Sequence, residues 1–403
     1  MLVILFFLVK NRDLSYFKDI KFIFLFFIAI YIGLNGFFQI ESNLNLSSIF
    51  YFRLIFFSLA VLFCLNYYES VKKKNIIFYI YFIVILFVLS DAFFQFLSGK
   101  NLLGYKIINN RISGIFGSEL ILGSFLFKII PIITWLIFYT DFNIRNNRKK
   151  LIFFFSFYIL VIFLTGERTS LGLTILFFIL VIILLKPLRK IFVISSFNLV
   201  ILVFIISILN LGKTDPINRI FVKTYNEFTI GFDQVYTKKK YKDVLINNSV
   251  TKKIKIEKNF LFFSKDHNGH FTLAYELFKS SPVFGVGPKG FRSFCRKVDY
   301  NPKIGMCTTH PHNFLVQIAS ETGLVGLSIY CYIIFFLIYK LSLLLKRKDL
   351  KNDRLSLIVI TIGILVNLFP FFPSGNFFNN WISIIIYYNV GIYLYTYKKY
   401  FLT

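Results

Sequence analysis

The chain has 403 residues, of which 57% are hydrophobic and 20% aromatic, with a mean hydropathy of +0.69. That is too apolar for a soluble domain. The formal charge of +27 does not make it a nucleic-acid binder, because its lysines and arginines are spaced between apolar runs rather than gathered in one patch.

The apolar runs are continuous. A transmembrane β-barrel would alternate instead. Only helices and closed barrels satisfy every backbone polar group within lipid. The expected fold is therefore all-α, a polytopic transmembrane helical bundle of about ten spans. In chain order the spans fall near 22–38, 49–68, 76–97, 119–139, 151–166, 170–185, 191–211, 313–340, 355–372 and 381–397. Residues 2–9 are apolar but too short to span, and no signal-peptide cleavage site follows them. They are expected along the interface or as the remnant of a shortened helix.

Short cytoplasmic loops carry an excess of Lys and Arg. With the amino terminus inside, the inner segments hold basic clusters such as Lys72–Lys74, Arg148 to Lys150 and Lys346 to Lys348. The short outer loops then hold only Lys100, Lys106, Arg111 and Arg168. Both termini are expected in the cytoplasm. Three parts follow: membrane helices over 1–211, a large outer loop over 212–312 and membrane helices over 313–403.

The outer loop contains a helix-like stretch from His267 to Ser281, with Phe271, Ala274, Leu277 and Phe278 on one side and Pro282 as its stop. A glycine turn follows, Gly285-Val286-Gly287-Pro288-Lys289-Gly290. It is only loosely like a phosphate cradle, having no Walker lysine and Ser/Thr behind it. Lysine runs at 238–242 and 252–258 read as solvated faces or contacts to anionic lipid. Cys295 and Cys307 both lie in this loop, where an oxidising compartment favours a disulfide. Cys64 and Cys331 lie in apolar spans.

The candidate chemistry gathers on the outer side. His310-Pro311-His312-Asn313 stands where the long loop enters span eight. Histidine is the side chain best suited to moving protons near neutral pH. His312 near a helix N-terminus could deprotonate a hydroxyl, or His312 and Asn313 could simply cap the helix. Arg111, Arg168 and Arg292, with Lys289 close to the last, could hold a phosphate group through forked hydrogen bonds. Arg168 could equally snorkel to headgroups or pair with Glu167. Glu321 lies about 13 Å deeper than His312 along the same helix and should be paired or functional. Lys128 raises the same question in span four. Gly323 and Gly326 read as points of close helix approach. No histidine has metal-ligand spacing, so no metal and no cofactor are expected.

Several pieces together resemble a known family, the O-antigen ligase and polymerase superfamily of bacterial envelope glycan assembly. SPVFGVGPKGFRSFC at 281–295 is similar to its glycine turn followed by Phe-Arg, and CTTHPHNFLVQIASETGLVGL at 307–327 to its histidine signature. RISGIF at 111–116 and TGERTSLG at 165–172 resemble its two arginine-bearing segments, although Ser-Arg is more usual there than Glu-Arg. PSGNFFNNW at 373–381 resembles its last outer turn.

The resemblance implies a metal-independent, inverting glycosyltransferase with a GT-C-like membrane fold in the bacterial inner membrane, its active site facing the periplasm. The donor would be an undecaprenyl-diphosphate-linked glycan. The acceptor would be lipid A–core for a ligase, which is the preferred reading, or another lipid-linked glycan for a polymerase. By position, His312 would be the general base, with His310 as the fallback. Arg111 and Arg168 would bind the diphosphate, Arg292 and Lys289 would assist, and Asn313 and Glu321 would support. Two other classes compete. A flippase of lipid-linked sugars would want polar groups through both leaflets and internal repeats, whereas here the polar clusters gather on one side. A channel or receptor would use the outer loop only as a binding module.

Overall fold

The structure is a computed structural model and describes residues 20–39, 52–226, 240–246, 250–256, 265–297, 308–347, 349, 351–378 and 380–402. Residues 2–9 and Cys307 lie outside these. A helix stands on each of the ten expected apolar segments. In chain order these are α1 (Ile20–Gln39), α2 (Phe52–Ser70), α3 (Lys74–Ser98), α4 (Leu122–Tyr139), α5 (Arg148–Leu164), α6 (Arg168–Leu184) and α7 (Lys186–Ile208). The loop contributes α8 (Lys265–Ser280) and α9 (Gly290–Lys297). Then come α10 (Phe314–Lys346), α11 (Asn352–Asn367) and α12 (Asn380–Leu402).

Among the described residues, α3, α4, α7 and α10 are long and apolar enough to cross a membrane by length and composition. α3 exposes Ile83 at 64% and α7 exposes Phe204 at 64%. Tyr79, Ile83 and Phe87, at four-residue spacing, form one outward apolar face. Water would not tolerate such a face and lipid tails would. One departure from an all-helical chain lies in the loop. β1 (Lys240–Ile246) and β2 (Val250–Ile256) pair antiparallel, with Lys240 opposite Ile256 and Ile246 opposite Val250. The lysine runs obscure the short alternation that a strand needs.

The chain divides into two compact units. The first takes Met1–Ala60, Lys223–Phe336 and Phe369–Tyr387, and the second takes Val61–Val222, Leu337–Leu368 and Tyr388–Thr403.

In the second unit α4 is buried almost throughout. Pro131 removes a backbone donor mid-helix. Gly363 of α11 meets it there, where a side chain would strike the proline ring. Tyr158 of α5 donates to the Leu126 carbonyl at 2.7 Å, and Trp135 Nε1 donates to Thr396 Oγ1 at 2.9 Å. Both bonds satisfy polar atoms that lipid could not. The loop after α3 is stapled to that helix. Asp91, fully buried, accepts from the Leu102 N–H at 2.9 Å. Gln95 Oε1 accepts from Ser113 and Gly114 N–H at 2.9 and 2.7 Å. The segment that carries Arg111 is thereby tied to α3.

The first unit is organised around a break in α10. Gly323 adopts φ 62°, ψ −163°, a conformation open essentially to glycine alone. The carbonyls freed at the break, Ser320 and Glu321, accept from Val286 and Gly287 N–H at 3.0 and 2.9 Å. The freed amides of Leu324 and Val325 donate to Pro282 and Val283 at 2.8 and 3.3 Å. The glycine turn thus completes the interrupted ladder. The close approach read at Gly323 is made by this turn. Helix α1 secures both partners: Tyr31 donates to the Thr322 carbonyl at 2.6 Å, and Asn35 Nδ2 donates to the Phe284 carbonyl.

Candidate functional site

Three of the four histidines cluster in the first unit. His312 lies at φ 57°, in the left-handed region that a non-glycine residue occupies at a cost of about 1 kcal/mol or more. Its carbonyl accepts from Ser374 N–H at 2.8 Å. This turn sets the His312 ring 4.1 Å from that of His310 and 5.3 Å from that of His270, centroid to centroid. His270, on α8, is buried like His310.

His310 Nε2 lies 3.3 Å from the Ser374 carbonyl. A carbonyl only accepts, so Nε2 carries the proton. Nδ1, at 2.9 Å from Thr309 Oγ1, then accepts. Burial pushes the His310 imidazole down to about 4, so it is neutral at pH 7 with both nitrogens engaged. Among the described residues no group of three His, Cys, Asp or Glu is arranged to hold a metal ion.

The residues around the cluster act as its frame. Asn313 caps α10: its Oδ1 accepts from Val316 N–H at 3.1 Å. Its Nδ2 reaches the Pro370 carbonyl at 2.7 Å. Glu321, fully buried, accepts from Phe291 N–H at 3.1 Å and from Gln317 Nε2 at 3.0 Å. It therefore caps α9 from thirty residues away. Gln317 also donates to Asn376 Oδ1 at 2.8 Å and accepts from Phe377 N–H at 2.9 Å. The 370–378 segment is thus fastened against the histidines.

Ser374 Oγ in this segment is buried with no hydrogen-bond partner among the described residues. The glycine turn has spent its amides, Val286 and Gly287 on α10 carbonyls and Gly285 and Gly290 on the Ser281 and Gly287 carbonyls, which removes it as a phosphate cradle. Lys289 sits in this turn at φ 66°, and Arg292 stands exposed on α9. Cys295 is disulfide-bonded, and Cys64 and Cys331 are free thiols.

Arg111 and Arg168 belong to the second unit, where they share a cationic cluster. Arg111 Nη2 lies 2.8 Å from Glu167 Oε1 and donates to the Leu120 carbonyl at 2.9 Å. Its Nε is buried without a hydrogen-bond partner among the described residues. Arg168 Nε donates to the Arg219 carbonyl at 3.2 Å, while Arg219 Nε donates to the Gly166 carbonyl at 3.1 Å. Gly166 sits at φ +67°, and a side chain there would strike Arg219. Lys128 is buried and donates to Ser124 Oγ at 3.0 Å.

Sequence reading singled out neither Arg219 nor His270 nor Gln317. Arg219 is one basic residue among 46, and its partners are 51 and 53 positions away. His270 had a usable signal, since histidine occurs four times in the chain.

With this geometry in view, the family model described as O-antigen ligase matches residues 270–331. The match begins at His270 and covers α9, the histidine signature and the break in α10. It supports the O-antigen ligase and polymerase superfamily, and with it membrane glycan processing. The apolar helices and this match together mark an integral membrane protein. No curated protein matches the chain in sequence.

Proposed function

We propose that the chain is a glycosyltransferase of the bacterial inner membrane that moves a glycan from undecaprenyl diphosphate to an acceptor hydroxyl at the periplasmic face. The observation that carries this reading is the match over 270–331, which takes in all three clustered histidines. His312 acts as general base. It removes the proton of the acceptor hydroxyl, and the oxygen attacks the anomeric carbon. The bond from that carbon to the diphosphate breaks, and undecaprenyl diphosphate leaves with the electron pair. Direct displacement inverts the anomeric centre.

His310 is less suited to the role of base, because both its nitrogens are already engaged. Arg111 and Arg168 hold the diphosphate and stabilise the charge that develops on departure. Lys289 and Arg292 assist from the loop. No step calls on a metal or cofactor. The acceptor is lipid A–core in the ligase reading and a second lipid-linked glycan in the polymerase reading. The arrangement proposed has ten spans, both termini in the cytoplasm, the 212–312 loop in the periplasm and a Cys295–Cys307 bridge. Expression of His312→Ala in a strain lacking the native gene tests the base. Surface glycan should be lost, and an unchanged amount and chain length would refute the assignment.

A further inference from the structure

Glu167 departs from the Ser-Arg pairing that the arginine segment would more usually carry, and the proposed transfer gives it no part. Its carboxylate is nonetheless held from three directions. Oε1 accepts from Gly123 N–H at 3.0 Å, in the first turn of α4, and pairs with Arg111 at 2.8 Å. Oε2 accepts from Ser170 Oγ at 2.9 Å, in the first turn of α6. Two helix N-termini therefore fix one carboxylate, and the carboxylate fixes Arg111. The pair is largely buried, with side chains 15% and 12% exposed. At this burial an arginine without a counter-charge would turn toward water. Glu167 keeps it in place before any ligand arrives. Arg111 Nε is buried and has no hydrogen-bond partner among the described residues, so not all of its donors are committed to Glu167 and Leu120.

We infer that Glu167 is the positioning residue of the anion site: it aims Arg111 at the phosphate of the lipid-linked donor. This rests on the reading of Arg111 as a diphosphate ligand. The cluster tolerates the added charge. Arg111 pairs with Glu167, Lys128 feels its charge, and Arg168 and Arg219 are bonded to backbone carbonyls beside it, so the cations named outnumber this carboxylate and a diphosphate can bind without displacing Glu167. A serine at 167 could accept a hydrogen bond but could not neutralise Arg111.

The test uses the full chain in nanodiscs with undecaprenyl diphosphate as probe, binding being read by native mass spectrometry. Arg111→Ala should weaken binding about tenfold, as loss of one charge-assisted pair implies. Glu167→Gln should weaken it several-fold in protein that melts lower, through loss of the buried counter-charge, but is still folded at the assay temperature, and Glu167→Asp should recover part of the loss. The double variant Arg111→Ala/Glu167→Gln should bind as Arg111→Ala does, because Glu167 acts only through Arg111. Should the glutamine variant fail to fold, Glu167→Ser carries the same expectation. If Arg111→Ala weakens binding but Glu167→Gln does not, or if the two losses add, the positioning role is overturned and the diphosphate reading stands. If Arg111→Ala binds as the wild type does, both fall.

Discussion

Replacing Glu321 with alanine should destabilise the protein without touching its chemistry directly. Phe291 N–H and Gln317 Nε2 lose their acceptor, as does the Lys289 backbone N–H. Each such loss costs about 1–3 kcal/mol. The fully buried side chain also leaves a cavity. The Phe291 and Gln317 bonds alone contribute about 4 kcal/mol, taking the middle of the range, and the Lys289 bond and the cavity make this a lower bound. At about 2–4 °C per kcal/mol for units of this size, the melting temperature should drop by about 8–16 °C or more. Circular dichroism at a helical wavelength on the detergent-solubilised chain reads this out. Glu321→Gln keeps an acceptor for Phe291 but sets one amide against another at Gln317, so its loss should be about 1–2 kcal/mol. A Glu321→Ala variant melting within about 2 °C of the wild type would refute the capping of α9 by α10.

Three further outcomes follow from the same geometry. His310 is held near 4, below the 6.5 of a free imidazole, so the unfolded chain binds the extra proton first as pH falls. Stability should therefore be complete above about 6.5 and decline by roughly 3 kcal/mol on acidification to about 4. Urea midpoints across that window should show a flatter profile for His310→Asn, and identical profiles would count against the burial of a neutral His310. Arg168→Lys should lose most of the donor affinity that Arg168→Ala loses, because an ammonium cannot reproduce the forked guanidinium; Michaelis constants for the donor settle this, and full rescue by lysine would contradict it. Cys295 and Cys307 should remain linked on a non-reducing gel of a proteolysed sample, and free thiols at both positions would exclude the bridge.

The helices were legible because long apolar runs favour them in lipid: a helix stands on each of the ten predicted segments, and among the described residues four of these are long and apolar enough to cross a membrane. The histidine signature was legible as a pattern, and the stop at Pro282 ended α8 where expected. The roles of several residues were not. Glu321 reads locally as a charge deep in a helix, and only the folding of α9 onto it thirty residues away reveals a cap. Gly323 reads as a packing glycine, but its φ and ψ show that the helix is interrupted and completed by the glycine turn. Arg219 acts through its backbone carbonyl as much as through its guanidinium, and side-chain patterns carry no trace of that. The paired strands β1 and β2 were hidden beneath their lysines.

The most direct test of lipid-linked glycan transfer is reconstitution of the purified chain with an undecaprenyl-diphosphate glycan and, in parallel, lipid A–core and a second lipid-linked glycan. The expected result is glycan on one acceptor with release of undecaprenyl diphosphate, and none of either with His312→Ala. No transfer to either acceptor by the wild type, or full transfer by His312→Ala, would contradict it.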